Sequence, residues 1–401
     1  MVIEIKIVSK PNKPNLKILQ TPVRFYPYIG GVENYVYELS KKLSEFGHDV
    51  TIVCSNEGYS EVVTNDDETK LQIDIKIDIK RLWYVCKIAN TNITPTLPFN
   101  LLSNEFDLIH THLPTPWSSD WSAFASRIKN IPLILTYHND IVSFGAWKVF
   151  SWLYNSLLLD VLLEKSERIL ISQPRYYNSP YLANYKEKTK ILPPGVDTDK
   201  FKPLKLEKSE NLLFVASLDS YHRYKGLDLL LKALKVVKDL GKDFVLLVVG
   251  SGELEEYYRT MAQSLGLGAN VDFLGKISEE KLIELYNRCS CLILPSKSYA
   301  QEGFGLVALE ALSCGTPVIV SEVVGISEDV EKNNCGFTAK PEEKEIAKAI
   351  INILEGEDRS MGRKGRRLIL KKYSWHAVAR EIEKIYFQAL EGFESRRGGV
   401  K

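Results

Sequence analysis

What this chain lacks narrows it before any motif is read. It has no surplus of one charge: 52 Lys and Arg against 51 Asp and Glu leave a formal net charge of +1. That removes the global electrostatic case for nucleic acid as a partner, and the short run Arg363–Arg367 reads as a solvated helix face. It has no cysteine framework. Six cysteines (Cys54, Cys86, Cys289, Cys291, Cys314, Cys335) are scattered, mostly inside apolar runs, and none forms a CxxC. Buried, reduced thiols are therefore expected rather than disulfide staples. No window of uncharged apolar sequence is long enough to span a bilayer. Met1–Val8 alternates Glu and Lys with isoleucine, where a signal peptide would need an apolar core. The expected location is the cytosol, with peripheral contact at the cytosolic face of a membrane as the furthest departure from it. There is no low-complexity bias either, and 401 residues are too many for one ordinary core.

What is present is an alternation of short buried strands and amphipathic helices, run through twice. Leu16–Thr21 reads as a strand that leads through Pro27-Tyr28-Ile29-Gly30-Gly31 into a helix. Val32, Tyr35, Val36, Leu39 and Leu43 recur at helical spacing, Gly47 stops the run, and Val50–Cys54 is the next strand. That βαβ unit implies a parallel sheet covered by helices. Asp107–His110, Pro132–Tyr137 and Arg168–Ser172 extend the sheet, and the alternating run Leu71–Lys80 reads as an edge strand. Leu192-Pro193-Pro194-Gly195-Val196-Asp197-Thr198-Asp199 then makes a stiff connector. Beyond it strands are expected at Leu212–Leu218, Phe244–Val249, Val271–Leu274, Leu292–Pro295 and Val318–Ser321, with helices between them. The expectation is two Rossmann-like, doubly wound α/β domains facing each other across a cleft, 1–193 and 194–375, with 376–401 as a final helix crossing back to the first.

The most informative segment is Glu302-Gly303-Phe304-Gly305-Leu306-Val307-Ala308-Leu309-Glu310. It lies beyond the carboxyl end of a strand. Gly303 and Gly305 allow a sharp turn with exposed N–H groups, and a helix opening near Leu306 aims its positive end at the same place. Two carboxylates flank that helix start, placed to accept hydrogen bonds from separate hydroxyl clusters such as a hexose and a ribose. The bland reading is a strand–turn–helix link with two solvated glutamates.

Glu302 and Glu310, eight residues apart around Gly-Phe-Gly, resemble the E-x7-E motif of glycosyltransferase family 4. The resemblance continues in order through Gly30-Gly31-Val32-Glu33, Gly47-His48-Asp49-Val50-Thr51, Thr136-Tyr137-His138, Pro194-Gly195-Val196-Asp197, Lys225-Gly226 and Gly315-Thr316-Pro317-Val318. It implies the GT-B fold and metal-independent transfer of a hexose, with retention, from a UDP- or GDP-linked sugar. A glycan, a lipid-linked glycan or a small molecule would be the acceptor. Carried across by motif, Glu310 would hold the ribose. Glu302 and the backbone of Gly303, Phe304, Gly305 and Leu306 would hold the transferred sugar. Gly30 and Gly31 would meet the distal phosphate, Lys225 would neutralise the leaving diphosphate, and His138 would contact the sugar near its anomeric carbon. No metal or other cofactor is implied. The base, the sugar, the acceptor and the oligomeric state are not written in these motifs.

One departure stands out. The family has an arginine just after the strand that opens the second domain; here Ser217 or Leu218 occupies that place, and Arg223 is the nearby guanidinium that could replace it. Three other patterns imitate sites. His110-Thr-His112 looks like a metal pair, but no carboxylate or cysteine lies at useful spacing. Asp197-Thr-Asp199 reads as turn chemistry, and Gly250-Ser-Gly252 lacks the third glycine of a dinucleotide fingerprint. The aromatic-rich segment from Phe144 through Leu163 reads as a helix that is either core or a face for lipid. The rival functions are a sugar-nucleotide epimerase or phosphorylase on the same fold, and a non-catalytic sugar-nucleotide-binding protein.

Overall fold

The computed structural model describes residues 14–28, 30–59, 77–88, 91–141, 148–298, 301–356 and 360–398, with backbone alone at 148–152, 174–175 and 397–398. The segment Met1–Val8, the first part of the run Leu71–Lys80 and residues 144–147 of the aromatic segment lie outside them. The chain forms two compact units. One comprises Met1–Leu170, Asn184–Lys190 and Glu381–Lys401, the other Ile171–Ala183 and Ile191–Arg380.

The first unit opens with β1 (Lys17–Thr21), α1 (Gly31–Glu45), β2 (Asp49–Ser55) and β3 (Ile77–Leu82), followed by a small hairpin of β4 (Cys86–Ile88) and β5 (Thr91–Ile93). Then come α2 (Leu97–Ser103), β6 (Leu108–Leu113), α3 (Pro116–Lys129), β7 (Leu133–Tyr137), α4 (Lys148–Leu157), α5 (Leu159–Lys165), β8 (Arg168–Ile171) and β9 (Thr189–Ile191). Among the described residues the sheet runs β3-β2-β1-β6-β7-β8-β9, so the described end of the alternating run, 77–80, lies in an edge strand, β3. Ile18, Leu19, Ile109, Leu133 and Leu135 are wholly buried, as strands covered on both faces must be. Each contributes roughly 1.5–3 kcal/mol of burial. The strand order reverses between β1 and β6, which are parallel with Gln20 opposite His110.

The second unit repeats the plan. It contains β10 (Leu212–Val215), α6 (Leu227–Asp239), β11 (Leu246–Val249), α7 (Glu255–Ser264), β12 (Val271–Gly275), α8 (Glu279–Arg288), β13 (Cys291–Leu294) and α9 (Leu306–Ser313). β14 (Val318–Ser321), α10 (Ser327–Lys332), β15 (Gly336–Ala339), α11 (Glu343–Leu354) and α12 (Met361–Leu368) follow; the last helix, α13 (Trp375–Gly398), starts in this unit and belongs to the first from Glu381 on. Its sheet is parallel throughout, in the order β12-β11-β10-β13-β14-β15, and reverses between β10 and β13. Ligands of doubly wound sheets bind beyond the strands' carboxyl ends at such a reversal. In this unit that is the space next to the loops after β10 and β13.

Several small expectations meet their structures here. The connector's Val196 bonds backbone to backbone with Tyr373 (2.8 Å) and Trp375 (3.2 Å), and a side chain at Gly195 would lie 2.6 Å from the Trp375 ring. Asp197 Oδ1 accepts from the N–H groups of Asp199 and Lys200, which is turn chemistry. Within Arg363–Arg367 the solvated-face reading fails at Arg366. Its guanidinium donates to the carbonyls of Thr198, Phe201 and Ser313, while Arg363 and Arg367 are exposed. Cys86 is exposed, against expectation, and the other five cysteines are buried; none of the six is in a disulfide. The aromatic segment is two helices broken at Leu158, not one, and exposes Leu153, Leu157, Leu158 and Val161. Among the described residues no helix is long and apolar enough to cross a membrane.

Candidate donor-binding site

The loop after β13 is built around one carboxylate. Glu302 is only 4% exposed, and an unpaired charge could not remain there. Lys225 Nζ lies 2.9 Å from both of its oxygens, the Gly303 N–H donates to Oε1 at 3.1 Å, and the buried Ser296 hydroxyl donates to Oε2. Lys225 reaches it from a short 3-10 helix, Arg223–Lys225, that ends the loop after β10. Gly226 then turns the chain with φ +82°, and a side chain there would strike the Pro295 carbonyl at 2.2 Å. So the two loops at the strand reversal are locked together by an ion pair and a close backbone approach.

Gly305 carries the second turn. Its φ is +84°, a Cβ would lie 2.6 Å from Val324, and it opens α9 with no side-chain cap. Ala308 already donates to the Gly305 carbonyl at 2.9 Å, so the N–H groups of Leu306 and Val307 are the ones left for an anion. Phe304 points inward, with its ring 5.3 Å from that of Tyr373, so only its backbone remains a candidate contact; Leu306 is exposed. Glu310 sits inside α9 and accepts from the buried Tyr286 hydroxyl at 2.7 Å. Burial raises its carboxyl to about 7, with Tyr286 pulling the other way. The two glutamates are thus electrostatically unlike, one held by a lysine and the other poised near neutrality.

Arg223 is exposed and lies over the Tyr257 ring at 5.5 Å. Ser217 is exposed at the end of β10, whereas Leu218 is buried. Gly250 and Gly252 have a structural reason to be glycine. Cβ atoms there would lie 1.8 Å from the Ala216 carbonyl and 2.3 Å from Leu218, so this pair seats the loop after β10.

In the first unit Gly30 and Gly31 open α1, again without a side-chain cap. The Glu33 carboxylate folds back over Gly30 and pairs with the buried Arg24 at 3.2 Å. His138 follows β7 and is buried, and its ring stacks on His112, which stacks on His110. The two-histidine motif is therefore a row of three. The rings lie face to face instead of converging on a point, and no group of metal-ligating side chains is found among the described residues. His48, from the Gly47-His48 motif, accepts from the Leu16 N–H and lies 3.2 Å from Glu383, tying the last helix to the residue that leads into β1. A cavity of about 510 Å³ lined by Lys208, Ser290, Gly315, Pro317 and Arg363 lies before the amino ends of β13 and β14, the end of the sheet where ligands do not bind.

Ser296, Tyr286 and Gln20 escaped the reading of the sequence. Ser296 carried a usable signal, since it stands just past the carboxyl end of β13. Tyr286 and Gln20 carried none.

Two family models match the chain in tandem. Residues 29–200 match "Glycosyltransferase Family 4" and residues 196–369 match "Glycosyl transferases group 1". D-rhamnosyltransferase WbpZ of Pseudomonas aeruginosa is 28% identical over 308 residues, 74% of each chain. The phosphatidylinositol N-acetylglucosaminyltransferase gpi3 subunit of Schizosaccharomyces pombe is 22% identical, over 90% of this chain and 78% of its own. Among solved structures, Anabaena Alr3699/HepE in complex with UDP superposes with a TM-score of 0.68 at 19% identity, over 93% of this chain and all of that one. These neighbours give the two Rossmann-like units their name, the GT-B fold.

Proposed function

The chain is a glycosyltransferase of family 4, and we propose that it transfers a hexose from a UDP- or GDP-linked donor, with retention and without a metal. The observation that carries this is the locked pair Lys225–Glu302 beside the uncapped start of α9. Breaking a sugar–phosphate bond builds negative charge on the departing diphosphate. A fixed ammonium and free helix N–H groups are what such charge needs, and they reorganise little as it forms. In this reading Glu302 and the backbone of Gly303, Phe304, Gly305 and Leu306 hold the hexose, and Glu310 holds the ribose. Gly30 and Gly31 meet the distal phosphate, His138 meets the sugar, and Arg223 takes the part of the missing arginine.

The acceptor is a glycan or a lipid-linked glycan. The names of the rhamnosyl- and phosphatidylinositol-directed relatives support that class. The exposed Leu157, Leu158 and Val161 support peripheral contact with the cytosolic face of a membrane. Replacing all three with Ser should abolish co-sedimentation with anionic liposomes; sedimentation that never occurs for the unaltered protein removes the membrane contact. The central test is a panel of UDP-, GDP- and ADP-sugars scored by thermal shift, since a ligand of the folded state raises apparent stability. A stabilising donor should then be consumed with an acceptor present. Stabilisation without transfer or slow hydrolysis would instead make the protein a non-catalytic binder of sugar nucleotides.

A further inference from the structure

We propose that Gln20 fixes the tautomer of His138 through His112, so that His138 offers the donor sugar a bare Nδ1 that accepts a hydrogen bond and cannot donate one. The proposal rests on the reading that His138 meets the donor.

The residues concerned line one face of the first sheet. Gln20 on β1 stands opposite His110 on β6, and His112 stands opposite Thr136 on β7. His138 follows two residues later on that face. Gln20, His110 and His112 are fully buried, Thr136 nearly so, and His138 is 8% exposed. Among the described residues, the side chains that bond to or stack on the three rings are Gln20, Thr136, Tyr386 from α13 and Tyr35 from α1, with no carboxylate among them. Burial favours the neutral form of all three, lowering His110 to about 3 and His138 to about 4, and the neighbouring imidazoles add to it at His110 and His112.

A neutral imidazole has one N–H and one lone pair, so each bond in the row dictates the next. His112 Nε2 lies 2.9 Å from the Gln20 carbonyl oxygen, which only accepts. The proton of His112 is therefore on Nε2, and its Nδ1 is bare. That Nδ1 is 3.2 Å from His138 Nε2, which must then be the donor. His138 Nδ1 is left without a proton, and no hydrogen-bond partner faces it among the described residues. The other end of the row agrees. The Gln20 amide nitrogen donates to Tyr386 Oη at 3.4 Å, Tyr386 donates to His110 Nδ1 at 2.6 Å, and His110 Nε2 donates to Thr136 Oγ1 at 2.7 Å. Turning the amide over would reverse every proton in the row. It would also force all three histidines into the Nδ1–H form, which free imidazole side chains disfavour. Gln20 is thus a positioning residue, acting on the donor through His112.

A bare nitrogen recognises a hydroxyl and rejects an ether or a fluorine in its place. The test is long-range proton–nitrogen NMR of the full chain labelled with 15N-histidine, with signals assigned by single His→Gln variants. The unaltered protein at neutral pH should show His112 and His138 with protonated Nε2 and bare Nδ1. Gln20→Met, which keeps the length and loses the acceptor, should mix the tautomers of both and leave His48 unchanged. It should also lower kcat/KM about 3- to 10-fold. A protonated Nδ1 on His138 in the unaltered protein overturns the proposal. So does a folded Gln20→Met protein whose His138 signals are unmoved. If that variant does not fold, the unaltered spectrum alone decides. UDP-glucose and GDP-mannose, added in turn, should shift the His138 Nδ1 signal when they bind. A sugar nucleotide that binds without shifting it removes the donor contact, while the tautomer assignment stands on the ligand-free spectrum.

Discussion

Glu310→Gln should make the protein more stable at pH 8 and worse at holding a nucleotide. Burial raises the Glu310 carboxyl from 4.5 to about 7, so the folded state prefers it protonated. The sign follows from linkage. The stabilisation from binding that proton is complete below pH 4.5 and is lost as pH rises through about 7. Once the group is ionised, the folded protein carries a penalty of about 3 kcal/mol, at roughly 1.4 kcal/mol for each tenfold change in proton affinity. Glutamine keeps an oxygen for the Tyr286 hydroxyl and removes the charge. The gain for the variant should therefore be near zero at pH 4.5, grow through the window up to about 7, and level off above it. For a unit of this size 1 kcal/mol is about 2–4 °C in Tm, so several degrees are at stake. Thermal denaturation of both proteins across that range is the assay. Parallel Tm–pH curves would refute the reasoning. Glu302→Gln is the contrast: it leaves the Lys225 ammonium without its counter-ion and should destabilise at neutral pH by roughly 3–5 kcal/mol.

Lys225→Ala should lower turnover by about 10²–10³ in a steady-state transfer assay, because the leaving diphosphate loses a fixed cation. An unchanged rate would move the charge stabilisation to another residue. Gly305→Ala should cost about 1–3 kcal/mol through its positive φ, with more from the contact at Val324, read as a drop in Tm. Tyr286→Phe removes the donor that holds the Glu310 carboxyl down. The pH midpoint of nucleotide binding should therefore rise above that of the unaltered protein in calorimetric titrations at several pH values.

The strands were legible because parallel strands covered on both faces are unbroken apolar runs bounded by turn residues, as at Cys291–Leu294 and Val318–Ser321. The start of α9 was legible for a local reason too, since Gly305 and the strand before it fix the turn. Other elements hid. α3 begins Pro-Trp-Ser-Ser-Asp and buries serines and alanines, so its inward face has no run of large apolar residues. The break at Leu158 in the aromatic segment has no proline or glycine to announce it. Pairings hid most of all. Lys225 and Glu302 are 77 residues apart, and Gln20 and His112 are 92 apart. The motif order suggested that such residues belong to one function, but only the parallel register shows which atoms meet. The third histidine is the clearest case. His110 and His112 invite a metal, and it takes the β6–β7 register to show His138 stacking beside His112, with the nitrogens of His110 and His112 already engaged.

The loop from Glu302 to Glu310 is central as the grip on a nucleotide sugar. Isothermal titration of UDP-glucose and of GDP-mannose into the unaltered protein and into Glu310→Ala tests this most directly. At least one of the two should bind the unaltered protein, and the variant should bind it about 10- to 100-fold more weakly, the loss expected for two charge-assisted hydrogen bonds to the ribose. Equal affinity for both proteins, or no binding of either nucleotide sugar, would contradict it.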